Sequence, residues 1–408
     1  MKINTRHIAL IAALLLIADR GLAGTGAVSA VAATVPPAVI ASPAPTAGNS
    51  YTDGTDGGHA IHADGVRDYY SNVTVSKTGN AELCADLSGE NAAVLAENGA
   101  ELELREVSVT GDGTHADAVF SLGEGTTVHI ANSTVKTFGG FSAGLTSADG
   151  GELNAYNLVV RTAGVDSPAI RSGGSIHVSG GTYDVTGAGS PAIHASADAV
   201  ISNAELSAAA AQAVVMDGSA AVTLENVSLK ANHTDSAEDD GGSARYQAVL
   251  IQQPAPDGGE EAVTFTMRGG SLTNLHGDVF LVSGASAVIN LTGAAIVNDD
   301  PEGVFLRVAA GKNGSHTELY TASQTIEGDV LTDERSTLAI HLWDGSSLTG
   351  AVNPTDEGEV SVELTDGATW TLTGDSHIKS LTCQANSIRL NGFTLFIDGE
   401  VYAKGIAR

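Results

Sequence analysis

The chain has 408 residues, of which 49 are glycine and only 4% aromatic, and its 48 Asp and Glu against 19 Lys and Arg leave a net charge of −29. That charge excludes nucleic acid and anionic membrane surfaces as partners. So few large apolar residues among so many glycines argue against a globular core of the ordinary kind.

Residues 1–33 read as a secretory signal. Lys2, Arg6 and His7 precede an apolar run at 8–18, and the small residues around Val28-Ser29-Ala30 and Val31-Ala32-Ala33 offer cleavage sites. The run is too short to cross a bilayer as a helix, which takes about 20 residues, so export is expected and no membrane span in the mature chain. Residues 34–50, with Pro36, Pro37, Pro43 and Pro45, should form a linker. The polar stretch 51–65 carries Asp53, Asp56, His59, His62 and Asp64, but its spacing matches no zinc or calcium pattern. It reads better as a first coil opening at Ala60-Ile61, and no metal or other cofactor is expected.

Between residues 91 and 230 one short pattern recurs six times. Each copy opens on a small residue and an aliphatic one: Ala93-Val94, Ala118-Val119, Gly144-Leu145, Ala169-Ile170, Ala192-Ile193 and Ala213-Val214, at steps of 25, 26, 25, 23 and 21 residues. Within a copy, Leu102 and Leu104 alternate with acids, and Val107 and Val109 alternate with Ser108 and Thr110. Such period-two runs of about four residues are strands, and a repeat of this length built from strands and turns is a solenoid. The expected fold is all-β: a single-stranded right-handed parallel β-helix of about a dozen coils, with three short strands per coil. At about 4.8 Å per coil this gives a rod roughly 60 Å long.

Asparagine recurs at one corner of four coils, at Asn132, Asn157, Asn203 and Asn226, and Gly180, Gly269 and Gly293 fall near the same place. Asn and Gly both accept positive φ cheaply, so this corner is expected to need a left-handed residue. Past residue 230 the openings continue at Ala248-Val249, Val279-Phe280 and Val304-Phe305, with insertions at 231–247 and 254–261. Insertions in a solenoid go to its turns and often carry function.

In each opening strand the second residue should point inward and the third outward. The outward column then reads His62, Leu95, Phe120, Thr146, Arg171 and His194, followed by Val215, Leu250, Leu281 and Leu306, four apolar residues in succession. An apolar stripe rarely stays bare on a soluble protein. Together with Arg245 and Tyr246 of the first insertion it is the candidate binding surface, to be covered by the insertions or by a partner. Cys84 and Cys383 should lie near opposite ends of the rod, beyond the roughly 7 Å reach of a disulfide.

The last stretch, from Ile326-Glu-Gly-Asp-Val330 through Leu338-Ala-Ile340-His-Leu342 to Trp370-Thr-Leu-Thr-Gly-Asp-Ser376 and the strand 378–381, resembles the C-terminal coils of pertactin-like autotransporter passengers. The resemblance covers 326–408; the preceding 51–325 match only as generic β-helix. It implies a stable C-terminal cap and a role at the cell surface in adhesion or self-association, with a surface glycan or protein as partner. Such passengers continue into a translocator barrel, and the chain is expected to depart from that plan, since 1–408 hold no stretch that reads as one.

β-Helices also carry polysaccharide-active enzymes, for which Asp239, Asp240, Asp299, Asp300 and Glu302 are the candidate acids here. The Asn-Thr-Asp, Gly-His-Gly and Arg-Ile-Lys phrases of polygalacturonases are missing, and basic residues to meet an acidic polysaccharide are scarce. The functional expectation is therefore an exported surface protein for adhesion or self-association, with a pectate lyase or glycoside hydrolase type of enzyme as the alternative and a structural spacer after it.

Overall fold

The computed structural model describes residues 49–81, 87–234, 246–252, 262–309 and 314–402. The expected signal at 1–33, nearly all of the linker, Cys84, Arg245, Asp239 and Asp240 lie outside the described residues. The linker gives way to structure at its last residue, where strand Ser50–Asp53 begins.

Among the described residues there are strands and no helices, and hence no helix long and apolar enough to cross a membrane. The chain winds as a parallel β-helix solenoid, every described strand but the last pairing in parallel with its counterpart one coil away. The inward residues of the opening strands form one unbroken column in which Val94 pairs with Val119, Val119 with Leu145, Leu145 with Ile170, Ile170 with Ile193, and Ile193 with Val214. Val249, Phe280, Leu306 and Val330 continue it. The middle strands add Leu102, Val128, Leu153 and Ile176, and the closing strands Val109, Val135, Val160 and Tyr183, all at most 1% exposed. Each such aliphatic side chain contributes about 1.5 to 3 kcal/mol on burial. A lone coil can bury none of them, and its backbone groups point along the axis at neighbours it would lack.

Two coils run through their corners without a break, as the strands Leu145–Thr162 and Ile170–Val185. At the corner after the middle strand, Asn132, Asn157, Asn203 and Asn226 hold φ of 49°, 51°, 52° and 54°. Gly180, Gly269 and Gly293 take the same sign, and so do Asn72, Glu106 and Ser323. The side-chain amide of Asn157 donates to Asn132 Oδ1 at 3.0 Å, joining two corners along the axis.

The turn before the opening strand is built differently, around a stack of buried serines. Ser142 N–H donates to Ser167 Oγ (2.9 Å) and Ser167 N–H to Ser190 Oγ (2.8 Å), while Ser167 Oγ donates in turn to the carbonyls of Val165 and Gly139. The backbones pass so closely here that a Cβ on Gly164 would lie 1.8 Å from the Gly139 oxygen.

The register departs from expectation at one opening. Leu306, expected outward, pairs with Phe280 and is fully buried, and Arg307 takes the outward place beside Leu281. The strand starts one residue late because Phe305 turns inward as well, packing edge-to-face against Phe280 with ring centroids 5.6 Å apart. A one-residue slip exchanges the faces of every following side chain.

Both ends of the solenoid are dressed differently from its middle. In the first coil the inward position paired with Leu102 is occupied by Asp68, and Tyr51 meets Tyr70 edge-to-face at 5.2 Å. At the other end Leu395–Ile397 pairs antiparallel with Glu400–Val401. The sheet runs across residue 326 without interruption, since Thr337–Trp343 pairs with both His316–Ala322 and Glu359–Leu364. Trp370, in the stretch that carries the autotransporter resemblance, is fully buried and donates its indole N–H to the Gly350 carbonyl at 3.0 Å.

Candidate functional site

The outward column of the opening strands falls into two parts. Val215, Leu250 and Leu281 stand on three successive coils, each half-buried. Above them Arg307, which replaces Leu306 in the column, places Nε 2.6 Å from Asp278 Oδ2, and the same carboxylate accepts the Val304 N–H at 3.0 Å. The apolar stripe is therefore three residues long and ends on an ion pair. Tyr246 lies at the turn that leads into strand Gln247–Gln252, with its ring edge-to-face on His233 at 5.2 Å.

The lower part is not an open surface. Leu95 and Phe120 are at most 4% exposed and pack with Ala92, Ala148, Leu87 and Leu122 as a second small core on the outside of the solenoid. Next to it Thr146 Oγ1 donates to Asp117 Oδ2 at 2.6 Å, the Ala143 N–H donates to Asp117 Oδ1 at 2.6 Å, and the Arg171 guanidinium stands 3.8 Å from Asp117, all buried. This cover is written in the sequence as a long first step, 33 residues from Ile61 to Val94, which leaves room for the excursion carrying Leu87.

A different face carries a concavity. The outward residues of four consecutive middle strands, Ser286–Thr292, His316–Ala322, Thr337–Trp343 and Glu359–Leu364, enclose a trough of 510 Å³. Its floor is made of short side chains, Thr337, Ala339 and Ser361, and His316, Glu318, Glu359 and Lys379 stand around it. Glu318 leans along its own strand to accept the Tyr320 hydroxyl at 2.5 Å, which leaves the row over Ala339 clear.

One outward position further along the same strands, past the residues that line the trough, stands an aromatic wall. Tyr320 stacks on His341 with ring centroids 4.6 Å apart and planes 11° from parallel, and Trp343 tilts against both at 5.4 and 5.8 Å. His341 Nδ1 is 2.8 Å from Glu363 Oε2 on the next coil. Burial, then the hydrogen bond and charge of Glu318 and the charge of Glu363, push the Tyr320 phenol up to about 12. The wall thus combines apolar ring surface with carboxylate acceptors. In a chain with so few aromatic residues, three on adjacent outward positions of two coils are a concentration that the period-two pattern of His316-Thr-Glu-Leu-Tyr320 and Thr337-Leu-Ala-Ile-His341-Leu-Trp343 already contains.

Of the acids considered for catalysis, Asp300 is fully engaged by backbone. Its carboxylate accepts the N–H of Gly277 (2.7 Å) and of Glu302 (2.9 Å), and these bonds hold it below the ordinary carboxylate range. It closes a turn. Among the described residues no group of three His, Cys, Asp or Glu is placed to hold a metal ion, and Cys383 is a free thiol.

No family model and no curated protein matches this sequence at a significant level.

Proposed function

We propose that this is an exported β-helical surface protein that adheres by binding a glycan in the trough over the middle strands of its C-terminal coils. The observation that carries the reading is the aromatic wall of Tyr320, His341 and Trp343 beside a floor as low as Ala339 and Ser361. A sugar ring offers an apolar C–H face with a rim of hydroxyl donors. Its counterpart is an aromatic surface next to fixed acceptors, here Glu318, Glu359 and Glu363. The N-terminal signal supports export, and the resemblance of 326–408 to autotransporter passengers supports a surface role. A glycan array and a cell-binding assay on the secreted chain test it. Trp343→Ala combined with Ala339→Trp should abolish retention of the glycans that the unaltered chain retains, at unchanged circular dichroism; retention unaffected by both changes would remove the trough from the binding surface.

A second reading, self-association through the opening face, is favoured by the three half-buried apolar residues Val215, Leu250 and Leu281 on successive coils. Leu250→Ser with Leu281→Ser separates it from a merely shielded stripe. Loss of self-association at unchanged melting temperature supports an interface, and loss of stability alone supports shielding.

A further inference from the structure

We propose, on the reading that the trough binds a glycan, that its ligand belongs to the non-anionic class: a glycan chain of neutral or amine-bearing sugars, without carboxylate or sulfate groups. The inference rests on which charged groups around the trough are already engaged. Of the basic side chains, Lys379 places its amine 2.7 Å from Asp398 Oδ1, and His316 has Nδ1 2.7 Å from the Thr337 hydroxyl. The Lys379 charge is thus shared with Asp398, although its ammonium keeps further N–H donors. The carboxylates are placed otherwise. Glu318 and Glu359 are exposed at the trough, and each oxygen of an ionised carboxylate can accept more than one hydrogen bond, so Glu318 keeps acceptor capacity after taking the Tyr320 hydroxyl. Glu363 adds a third carboxylate one residue pair along the strand from Ser361.

A uronic acid or sulfated sugar in this place would bring its charge next to Glu318 and Glu359 with only Lys379, already paired with Asp398, as a counter-charge, and such like-charge placement disfavours a ligand. The net charge of −29 adds a field of the same sign, screened beyond about 8 Å at physiological salt. Hydroxyl groups, and ammonium groups where the sugar carries them, instead donate to the same carboxylates. Acceptors at the rim and ring surface at the wall thus select donors and disfavour acids.

Isothermal titration of the secreted chain with three purified oligosaccharides of equal length tests this: a neutral β-linked glucan, a fully deacetylated hexosamine and a galacturonate. The expected result is binding of the glucan, the hexosamine or both, weakened at least tenfold by Ala339→Trp, and at least tenfold weaker binding of the galacturonate even at high salt. Neutral and amine ligands separate in the same experiment. Hexosamine binding falls steeply with salt and with Glu318→Gln and Glu359→Gln, whereas glucan binding is nearly indifferent to salt. Galacturonate binding as tight as the others, and lost in Ala339→Trp, overturns the ligand class while leaving the trough as the site. Oligosaccharide binding that Ala339→Trp leaves untouched, or no binding of any of the three, overturns the trough reading itself.

Discussion

Asn203 offers the cleanest measure of how strongly the corner constrains the chain. Its φ is 52°, its side chain is exposed, and it lies between strands Asp198–Ser202 and Glu205–Ala208, so that substitution there alters backbone preference and little else. Valine has two heavy atoms on Cβ and is strained at positive φ, at a cost of about 1 to 3 kcal/mol. Glycine relieves the residual strain of an L-residue but brings about 0.5 to 1 kcal/mol of extra unfolded-state entropy, so the two effects nearly cancel. Asn203→Val should therefore be about 2 kcal/mol less stable than Asn203→Gly, a factor of up to about 30 in the unfolding equilibrium. Urea unfolding followed by circular dichroism reads the difference as a lower midpoint for the valine variant. Because coils can melt in blocks, hydrogen exchange at the neighbouring amides of Ile201 and Leu206 should report the same order locally. Equal midpoints and equal exchange for the two variants would refute the claim that the left-handed corner limits which residues this solenoid accepts.

Glu106 sits in the same column at φ 52° without the local hydrogen-bonding compensation of an asparagine, so Glu106→Asn should raise the unfolding free energy by about 0.5 to 1 kcal/mol, seen as a higher urea midpoint. Ser167→Ala removes the acceptor of the buried Ser142 N–H and should lower stability by about 1 to 3 kcal/mol, seen as faster exchange of that amide. The Tyr320 phenol, raised from 10.0 to about 12, keeps its proton in the folded state at pH values where the unfolded chain has lost it. Stability should therefore fall as pH rises from about 10 towards 12, and Tyr320→Phe should make this fall shallower, with phenolate absorbance as the check.

Much of this architecture could be read directly. The small-aliphatic openings place the inward column to the residue from Val94 to Phe280, because a period of about 25 residues and a period of two within each strand must be satisfied together. The column failed at Leu306 for a plain reason: Val304, Phe305 and Leu306 are apolar in succession, all three are buried, and a run without alternation does not say which member faces in. Burial of Leu95 and Phe120 was not legible in the column either, because it depends on Leu87, which belongs to no opening strand, packing over them. The trough depended on comparing outward residues between coils past residue 286. There Ala339 is low only because Glu318 and Ser361 lie beside it, a relation that no single strand displays.

The hydrogen bonds that hold successive coils together, such as Ala118 N–H to the Ala143 carbonyl and Ile170 N–H to the Ala192 carbonyl, run between neighbouring coils along the solenoid axis. A pull on the two ends therefore loads the coils in series under one common force, and the weakest opens first. Each released coil, such as the 25 residues from Val94 to Val119, pays out about 80 Å of extended chain. Single-molecule stretching should show a succession of such steps, and a single all-or-none release would contradict the series arrangement. A solenoid built this way lengthens under load by giving up coils one after another, while the stronger coils stay folded until their turn comes.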